Sequence, residues 1–70
     1  MGEPAVVRMA NDIARQFAHL PEPDAAAAVA AHLEMFWEPR MRRELQAEVE
    51  REPDQLAHVV VTAVSLVETV

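Results

Sequence analysis

Residues 24–45 read DAAAAVAAHLEMFWEPRMRREL, and this stretch decides which kind of fold the chain can form. Its first part is rich in alanine, the residue with the highest helix propensity, and its large apolar side chains recur at steps of three and four, with either Phe36 or Trp37 completing the series. Pro39 then interrupts the pattern, because proline is tolerated at the start of a helix and breaks the interior of one. The stretch therefore predicts two helices that meet at Pro39.

Prolines divide the whole chain in the same way. They stand at positions 4, 21, 23, 39 and 53, and the helices that they predict cover approximately residues 5–20, 24–37, 39–51 and 54–68. The last segment is rich in β-branched residues, so a strand remains an alternative prediction for residues 56–68. Because a lone strand would have no partner to pair with, we predict an all-α fold: a single domain, residues 1–70, built as a small bundle of three to four short helices.

The composition limits what such a bundle can do. A chain of 70 residues has a thin core, and without cysteine it forms neither disulfides nor thiolate metal sites. Good helix packing or a partner subunit must therefore stabilise it. Twelve acids against six arginines give a formal charge of −6, which disfavours nucleic-acid binding because phosphate is repelled.

The apolar segments give no sign of export or of a membrane anchor. The N-terminal residues lack the basic start and apolar block of a secretory signal. The most apolar run, residues 56–67, is shorter than the roughly 20 residues that a membrane span requires. We therefore expect a cytoplasmic protein that does not contact a membrane.

The sequence contains no recognisable catalytic constellation. Ser65 lies on the apolar face of the fourth predicted helix, where a small packing residue is expected. His19, His32 and His58 fall on different predicted helices and lack the paired spacing of a metal site. The single glycine, Gly2, excludes the glycine-rich loops that bind phosphates. We predict no catalytic residue, no cofactor-binding residue and no metal ligand in this chain.

The aromatic pair Phe36–Trp37 allows two interpretations. Adjacent residues on a helix diverge by about 100°, so both rings cannot face one narrow core. Arginines follow in the first turn of the next helix, and Trp and Arg are the residue types most enriched among interface hot spots. The corner is therefore either a surface made for another protein or a place where Trp37 plugs the space between two helices while the arginines meet water. His32 precedes Phe36 by four residues, so we expect the two to be in contact.

The segment VRMANDIARQFA, followed by AVAAHLEMFWEPRMRREL, resembles the small delta subunit of the cytoplasmic, NAD-dependent, molybdenum-containing formate dehydrogenases. The string FWEPRMR is specific, because an aromatic pair, an acid–proline step and an interrupted arginine run seldom coincide. The C-terminal third resembles the family only in being an apolar helix. The matching residues are Arg8-Met9-Ala10-Asn11 with Ile13-Ala14, then His32-Leu33, then Phe36-Trp37-Glu38-Pro39-Arg40-Met41-Arg42.

The resemblance implies a non-catalytic accessory subunit of an enzyme that oxidises formate to carbon dioxide and passes the electrons to NAD. The delta chain would dock on the molybdenum-containing catalytic (alpha) subunit and stabilise it. That subunit would hold bis-molybdopterin guanine dinucleotide and iron–sulfur clusters, and beta and gamma subunits would hold FMN and further clusters. A transient assembly or cofactor-insertion helper is the alternative that the resemblance leaves open.

The resemblance also implies a partner interface in this chain. Its aromatic side chains and methionine would supply apolar contact area, and its arginines would pair with carboxylates or carbonyls of the catalytic subunit. Arg8 and Asn11 would complete the surface or brace the turn after Trp37. The predicted interface residues are Arg8, Asn11, His32, Phe36, Trp37, Pro39, Arg40, Met41, Arg42 and Arg43.

Overall fold

The structure is a computed structural model that describes residues 2–68. Within this range the chain contains no strand, and the predicted all-α class is confirmed. Residues 58–68, where the sequence allowed a strand, form a helix. The elements are α1 (Ala5–Gln16), α2 (Glu22–Phe36), α3 (Pro39–Arg51), a short 3-10 turn (Pro53–Gln55) and α4 (His58–Glu68).

Prolines define the starts of α1, α2 and α3. Pro4 and Pro21 stand directly before α1 and α2, and their carbonyl oxygens accept the first helical N–H groups, at 2.9 Å in the case of Ala25. Pro39 is the first residue of α3, where a missing N–H loses no helical hydrogen bond. Asp24 places negative charge in the first turn of α2, which stabilises the positive end of that helix.

The first helix ends at Gln16 rather than at the predicted residue 20. Phe17 donates its N–H to the Ala14 carbonyl at 3.1 Å, and Leu20 donates to the Phe17 carbonyl at 3.0 Å. These bonds span three residues and tighten the end of a helix. These tighter turns carry the chain from the end of α1 to Pro21, whose ring keeps Leu20 out of helical geometry.

The fourth predicted helix is divided in two. After the 3-10 turn the backbone of Leu56 is extended, with φ −113° and ψ 145°, and α4 begins only at His58. The break lets the Leu56 side chain enter the core, where 7% of it is exposed. None of the helices within residues 2–68 is both long enough and apolar enough to cross a bilayer.

The pair α2–α4 is the largest helix contact of the fold. The two helices run parallel, since the His58 side chain at the start of α4 bonds to Glu22 at the start of α2. At the other end, Val64 and Leu33 line the same pocket. Ala63 is fully buried, and small residues of this kind let two helices approach closely.

The core lies between all four helices. Its members are the apolar stripes of α1, α2 and α4, the neighbouring residues Trp37 and Leu56, and Leu45, the one residue of α3 within the described chain that is fully buried. The buried cluster consists of Val6, Val7, Ala10, Ile13, Ala14, Val29, Ala30, Leu33, Trp37, Leu45, Leu56, Val60, Ala63 and Val64.

Candidate partner-binding surface

The chain turns from α2 into α3 within two residues. Trp37 and Glu38 have extended backbones, with ψ of 140° and 150°, and α3 starts at Pro39. The turn is abrupt because the proline ring keeps the residue before it out of helical geometry. The end of α2 and the first turn of α3 therefore lie at one corner of the bundle.

The two aromatic side chains of this corner have separate positions. Trp37 is 6% exposed and belongs to the core cluster, whereas Phe36 is 69% exposed. Trp37 therefore fills the space between the two helices, and of the two predicted rings only Phe36 is available at the surface. Met35 is 74% exposed and was not among the predicted surface residues. Its position, about 200° around α2 from Leu33, was the signal that could have found it.

Arg42 fastens the two helices of the corner together. Its Nη1 donates to the Trp37 carbonyl at 2.9 Å and to the Leu33 carbonyl at 3.2 Å, with a longer contact of 3.4 Å to the Glu34 carbonyl. The last carbonyls of a helix have no partner within it, and a cation is favoured at that negative end. Arg42 thus caps α2 and is not available as a free surface charge.

Arg40 and Arg43 are exposed on the outer side of α3. Within residues 2–68, neither makes a hydrogen bond or ion pair with another side chain. Arg40 stands in the first turn of α3, which contains no acidic residue, and positive charge is unfavourable at the positive end of a helix. Arg43 follows as the fifth residue of the helix. Two unpaired cations at such a position present a ready site for carboxylates of another molecule.

His32, Phe36 and Pro39 complete the outer part of the corner. The rings of His32 and Phe36 lie 4.8 Å apart between centroids and are tilted by 44°, so the predicted contact is confirmed. His32 is half-buried and Pro39 is exposed. We define the corner surface as Met35, Phe36, Arg40 and Arg43, with His32 and Pro39 at its edges.

Three predicted interface residues lie away from this surface. Met41 is half-buried and, with Met9, lines a groove of about 400 Å³ between α1 and α3. Arg8 is exposed on α1. Asn11 lies in a cleft of about 690 Å³ formed by α1, the start of α2 and residues 54–59. The structure therefore does not gather all ten predicted residues into one patch.

Asn11 braces the break before α4 instead of the turn after Trp37. Its side-chain oxygen accepts the Ala57 N–H at 2.9 Å, and its side-chain nitrogen donates to the Gln55 carbonyl at 3.1 Å. Because an amide group carries both a donor and an acceptor, this one side chain makes hydrogen bonds to two main-chain groups in the segment between the helices. Asn11 thus holds α1 against the start of α4.

A small pocket opens beside the corner surface, between α2, α3 and the C-terminal half of α4. Its volume is about 170 Å³. Apolar side chains form its floor, and Arg43 and Gln46 stand among its polar lining residues. The lining consists of Leu33, Pro39, Arg42, Arg43, Leu45, Gln46, Val64 and Val67.

The family described as "NADH-dependant formate dehydrogenase delta subunit FdsD" matches residues 5–64. The chain belongs to this family. The match covers α1, α2 and α3 completely and continues through α4 to Val64, so the delta-subunit pattern extends beyond the residues on which the resemblance was based. Comparison with curated proteins and comparison with solved structures gave no match.

The described part of this delta-subunit chain offers no ligand set for a metal or an iron–sulfur cluster. The sequence has no cysteine, and within residues 2–68 no group of three or more His, Asp or Glu side chains comes together.

Glu48 is a carboxyl group with a lowered pKa, and it lies outside the corner surface. Hydrogen bonds from Arg51, and then from Gln55 at 3.0 Å, hold the pKa of Glu48 below its usual value. The same contact with Glu48, 2.6 Å from Arg51 Nη2, raises the pKa of Arg51. Both side chains lie on the solvent side of the end of α3. There the pair links the last turn of the helix to the 3-10 turn that follows it.

Proposed function

We propose that this chain is the non-catalytic delta subunit of an NAD-dependent formate dehydrogenase. It docks on the molybdenum-containing catalytic (alpha) subunit and stabilises it in a cytoplasmic complex with beta and gamma subunits. Membership of the delta-subunit family supports this proposal, because a delta subunit is by its name one component of a larger enzyme.

The corner surface is the observation that supports docking. Two large apolar side chains, Met35 at 74% and Phe36 at 69% exposure, are adjacent in sequence at the end of α2. A single exposed apolar residue is ordinary, but this pair is followed closely by two unpaired arginines. Burying one such apolar side chain against a partner contributes about 1.5–3 kcal/mol.

The charge of the chain favours one orientation of docking. The formal net charge is −6, while Arg40 and Arg43 make the corner locally positive. A partner surface that carries carboxylates is attracted to this corner and repelled by the acidic remainder of the chain. The proposed contact on the catalytic subunit is therefore apolar and acidic.

The cofactors of the complex are proposed to reside in the other subunits. Bis-molybdopterin guanine dinucleotide and iron–sulfur clusters belong to the catalytic subunit in this proposal, and FMN with further clusters belongs to the beta and gamma subunits. When bound there, these groups supply the electron transfer from formate to NAD. The delta chain contributes binding surface and no redox group.

Co-expression with the alpha, beta and gamma subunits tests the proposal. The delta chain should be recovered in stoichiometric amount with a tagged alpha subunit, as measured by size exclusion with mass detection. The double variant Met35→Ala/Phe36→Ala should reduce this recovery, and Met9→Ala should not. Met9 is the matched control, because it is an exposed methionine that lines the groove between α1 and α3.

The recovered amounts separate the possible roles. Absence of wild-type delta chain from the complex would refute the docking function. Normal recovery of the folded double variant would remove the corner surface from the interface. Substoichiometric recovery, with a complex that keeps its activity after delta is lost, would indicate a transient assembly helper.

A further inference from the structure

We infer that the pocket beside the corner surface receives one apolar side chain of the catalytic subunit, and that an Asp or Glu next to that side chain binds Arg43. The inference rests on the proposed function and adds the chemistry of the partner segment. It assigns a specific contact to a feature that the sequence did not reveal, since the pocket is built from three different helices.

The size of the pocket limits the occupant to one side chain. Its volume of about 170 Å³ is close to the roughly 150 Å³ of an apolar cavity that holds a benzene molecule. The floor is apolar, since Leu33, Leu45 and Val64 are at most 5% exposed. A leucine, methionine or phenylalanine side chain fits this space, and a helix does not.

The charge at the pocket indicates which type of residue lies next to the occupant in the partner segment. Arg43 lines the pocket and has no hydrogen-bond or ion-pair partner within residues 2–68, whereas Arg42, which also lines it, is occupied by the carbonyls of α2. A free guanidinium binds a carboxylate through two parallel hydrogen bonds. The occupant is therefore an apolar residue followed or preceded by an acidic one.

The pocket is continuous with the corner surface, which argues for a protein occupant. Pro39 lines the pocket and stands between Phe36 and Arg40 along the chain. One segment of the catalytic subunit can therefore cover Phe36 and place a side chain in the pocket at the same time. Hot spots of this kind insert apolar side chains into desolvated pockets near the centre of an interface.

Filling the pocket tests the inference. Gln46 lines the pocket from α3, and its side chain makes only a weak contact of 3.5 Å with Glu50. Gln46→Phe should place a ring in the space that the partner side chain requires. Its affinity for a purified alpha–beta–gamma complex should fall by about tenfold or more, which corresponds to one lost apolar contact.

Glu50→Phe is the matched control, because Glu50 lies one turn further along α3 and outside the pocket. It introduces the same side chain and should bind with an affinity close to that of the wild type. Circular dichroism of each variant checks folding. Wild-type affinity for Gln46→Phe, together with weakened binding of Phe36→Ala, overturns the pocket and leaves the docking function intact. Wild-type affinity for both variants overturns the pocket and removes Phe36 from the interface, whereas failure of the wild-type chain to bind the complex overturns the docking function.

A measurement on the wild-type chain covers the case in which Gln46→Phe does not fold. The methyl NMR signals of Leu33, Val64 and Val67 should change when the alpha–beta–gamma complex is added. Those of Val6, on the opposite side at the start of α1, should not. A response of the Met35 methyl group without one from the pocket methyl groups also overturns the inference.

Discussion

Trp37 and Phe36 are neighbours in the sequence, yet Trp37 is 6% exposed and Phe36 is 69% exposed. Removal of the buried ring should therefore act on folding. Trp37→Ala is expected to cost about 3–5 kcal/mol, while a domain of this length has roughly 4–10 kcal/mol in total. Urea denaturation followed by circular dichroism should show a midpoint far below that of the wild type.

Phe36→Ala is the paired variant and separates folding from docking. It should change the free energy of unfolding by about 0.5 kcal/mol or less, as for exposed positions generally, and still weaken recovery with the alpha subunit. Trp37→Ala should also lower that recovery, but through loss of the folded chain. A Trp37→Ala protein with the wild-type urea midpoint would show that the ring is not part of the core.

The free energy of unfolding should be sensitive even to a conservative change of Arg42. Arg42→Ala removes hydrogen bonds from a charged donor to the carbonyls at the end of α2, which is expected to cost about 1.5–3 kcal/mol. Arg42→Lys should recover only part of this, because an ammonium group lacks the planar donor pair of a guanidinium. Urea midpoints provide the measurement. Arg43→Ala is the control in the next position, and equal losses for both variants would contradict the capping role of Arg42.

Asn11 should contribute to stability over a long sequence distance. Asn11→Ala leaves the Ala57 N–H and the Gln55 carbonyl without their side-chain partners. The cost is about 0.5–1.5 kcal/mol for each hydrogen bond, since the exposed Ala57 N–H can bond to water instead. For a domain of this size, each 1 kcal/mol lowers Tm by about 4–8 °C. A calorimetric scan measures the shift, with the exposed neighbour Asp12→Ala as control. A Tm change no larger than that of Asp12→Ala would show that the two hydrogen bonds of Asn11 do not stabilise the fold.

Glu48 should make the stability depend on pH in the acidic range. Its pKa is lowered in the folded chain from the usual 4.5 by the hydrogen bond from Arg51. The unfolded chain therefore binds more protons in that range, and the contribution of Glu48 is present above about pH 4.5 and is lost as the pH falls through the folded pKa. Between about pH 6 and about pH 3, the urea midpoint of Glu48→Gln should fall less steeply than that of the wild type. A slope for Glu48→Gln equal to that of the wild type would contradict this contribution of Glu48.

Arg40 should affect the rate of docking more than its final strength. Exposed charges at the rim of an interface mainly accelerate association, and salt screens them. Arg40→Ala should lower the association rate with the alpha–beta–gamma complex and reduce its dependence on salt. Stopped-flow or biolayer measurements at two salt concentrations test this. Arg15→Ala, an exposed arginine on α1, is the control, and an identical effect of the two variants would show that only net charge matters.

The helical class and the starts of α1, α2 and α3 were predictable from local rules, within two residues in the case of α2, whereas the start of α4 was not. Alanine-rich segments, apolar steps of three and four, and the positions of Pro4, Pro21 and Pro39 act over a few residues, so one sequence suffices to apply them. The helix ends were less predictable. α1 ends at Gln16 because several residues of tighter, 3-10-like backbone precede Pro21. The break at Leu56 is held by hydrogen bonds from Asn11, which is distant in the sequence.

The candidate site was predictable in part. The sequence identified the corner between α2 and α3 and the contact of His32 with Phe36. It could not assign Arg42 to capping and Arg43 to the surface, because the two are adjacent and chemically identical. Their difference arises from the carbonyls of α2, which only the fold places beside Arg42. The pocket was not predictable from the sequence for the same reason, since its lining residues Leu33, Leu45 and Val64 stand on three helices.

The amino-acid sequence is enough to establish that this chain is helical, lacks thiolate ligands and a glycine-rich loop, and resembles a delta subunit. Each of these properties depends on residue type and short-range spacing. The sequence is not enough to establish which ring of the aromatic pair is buried, which arginines stay unpaired and where a pocket forms. Those outcomes depend on how helices far apart in the sequence pack against one another, and packing of that kind is not encoded in any single segment.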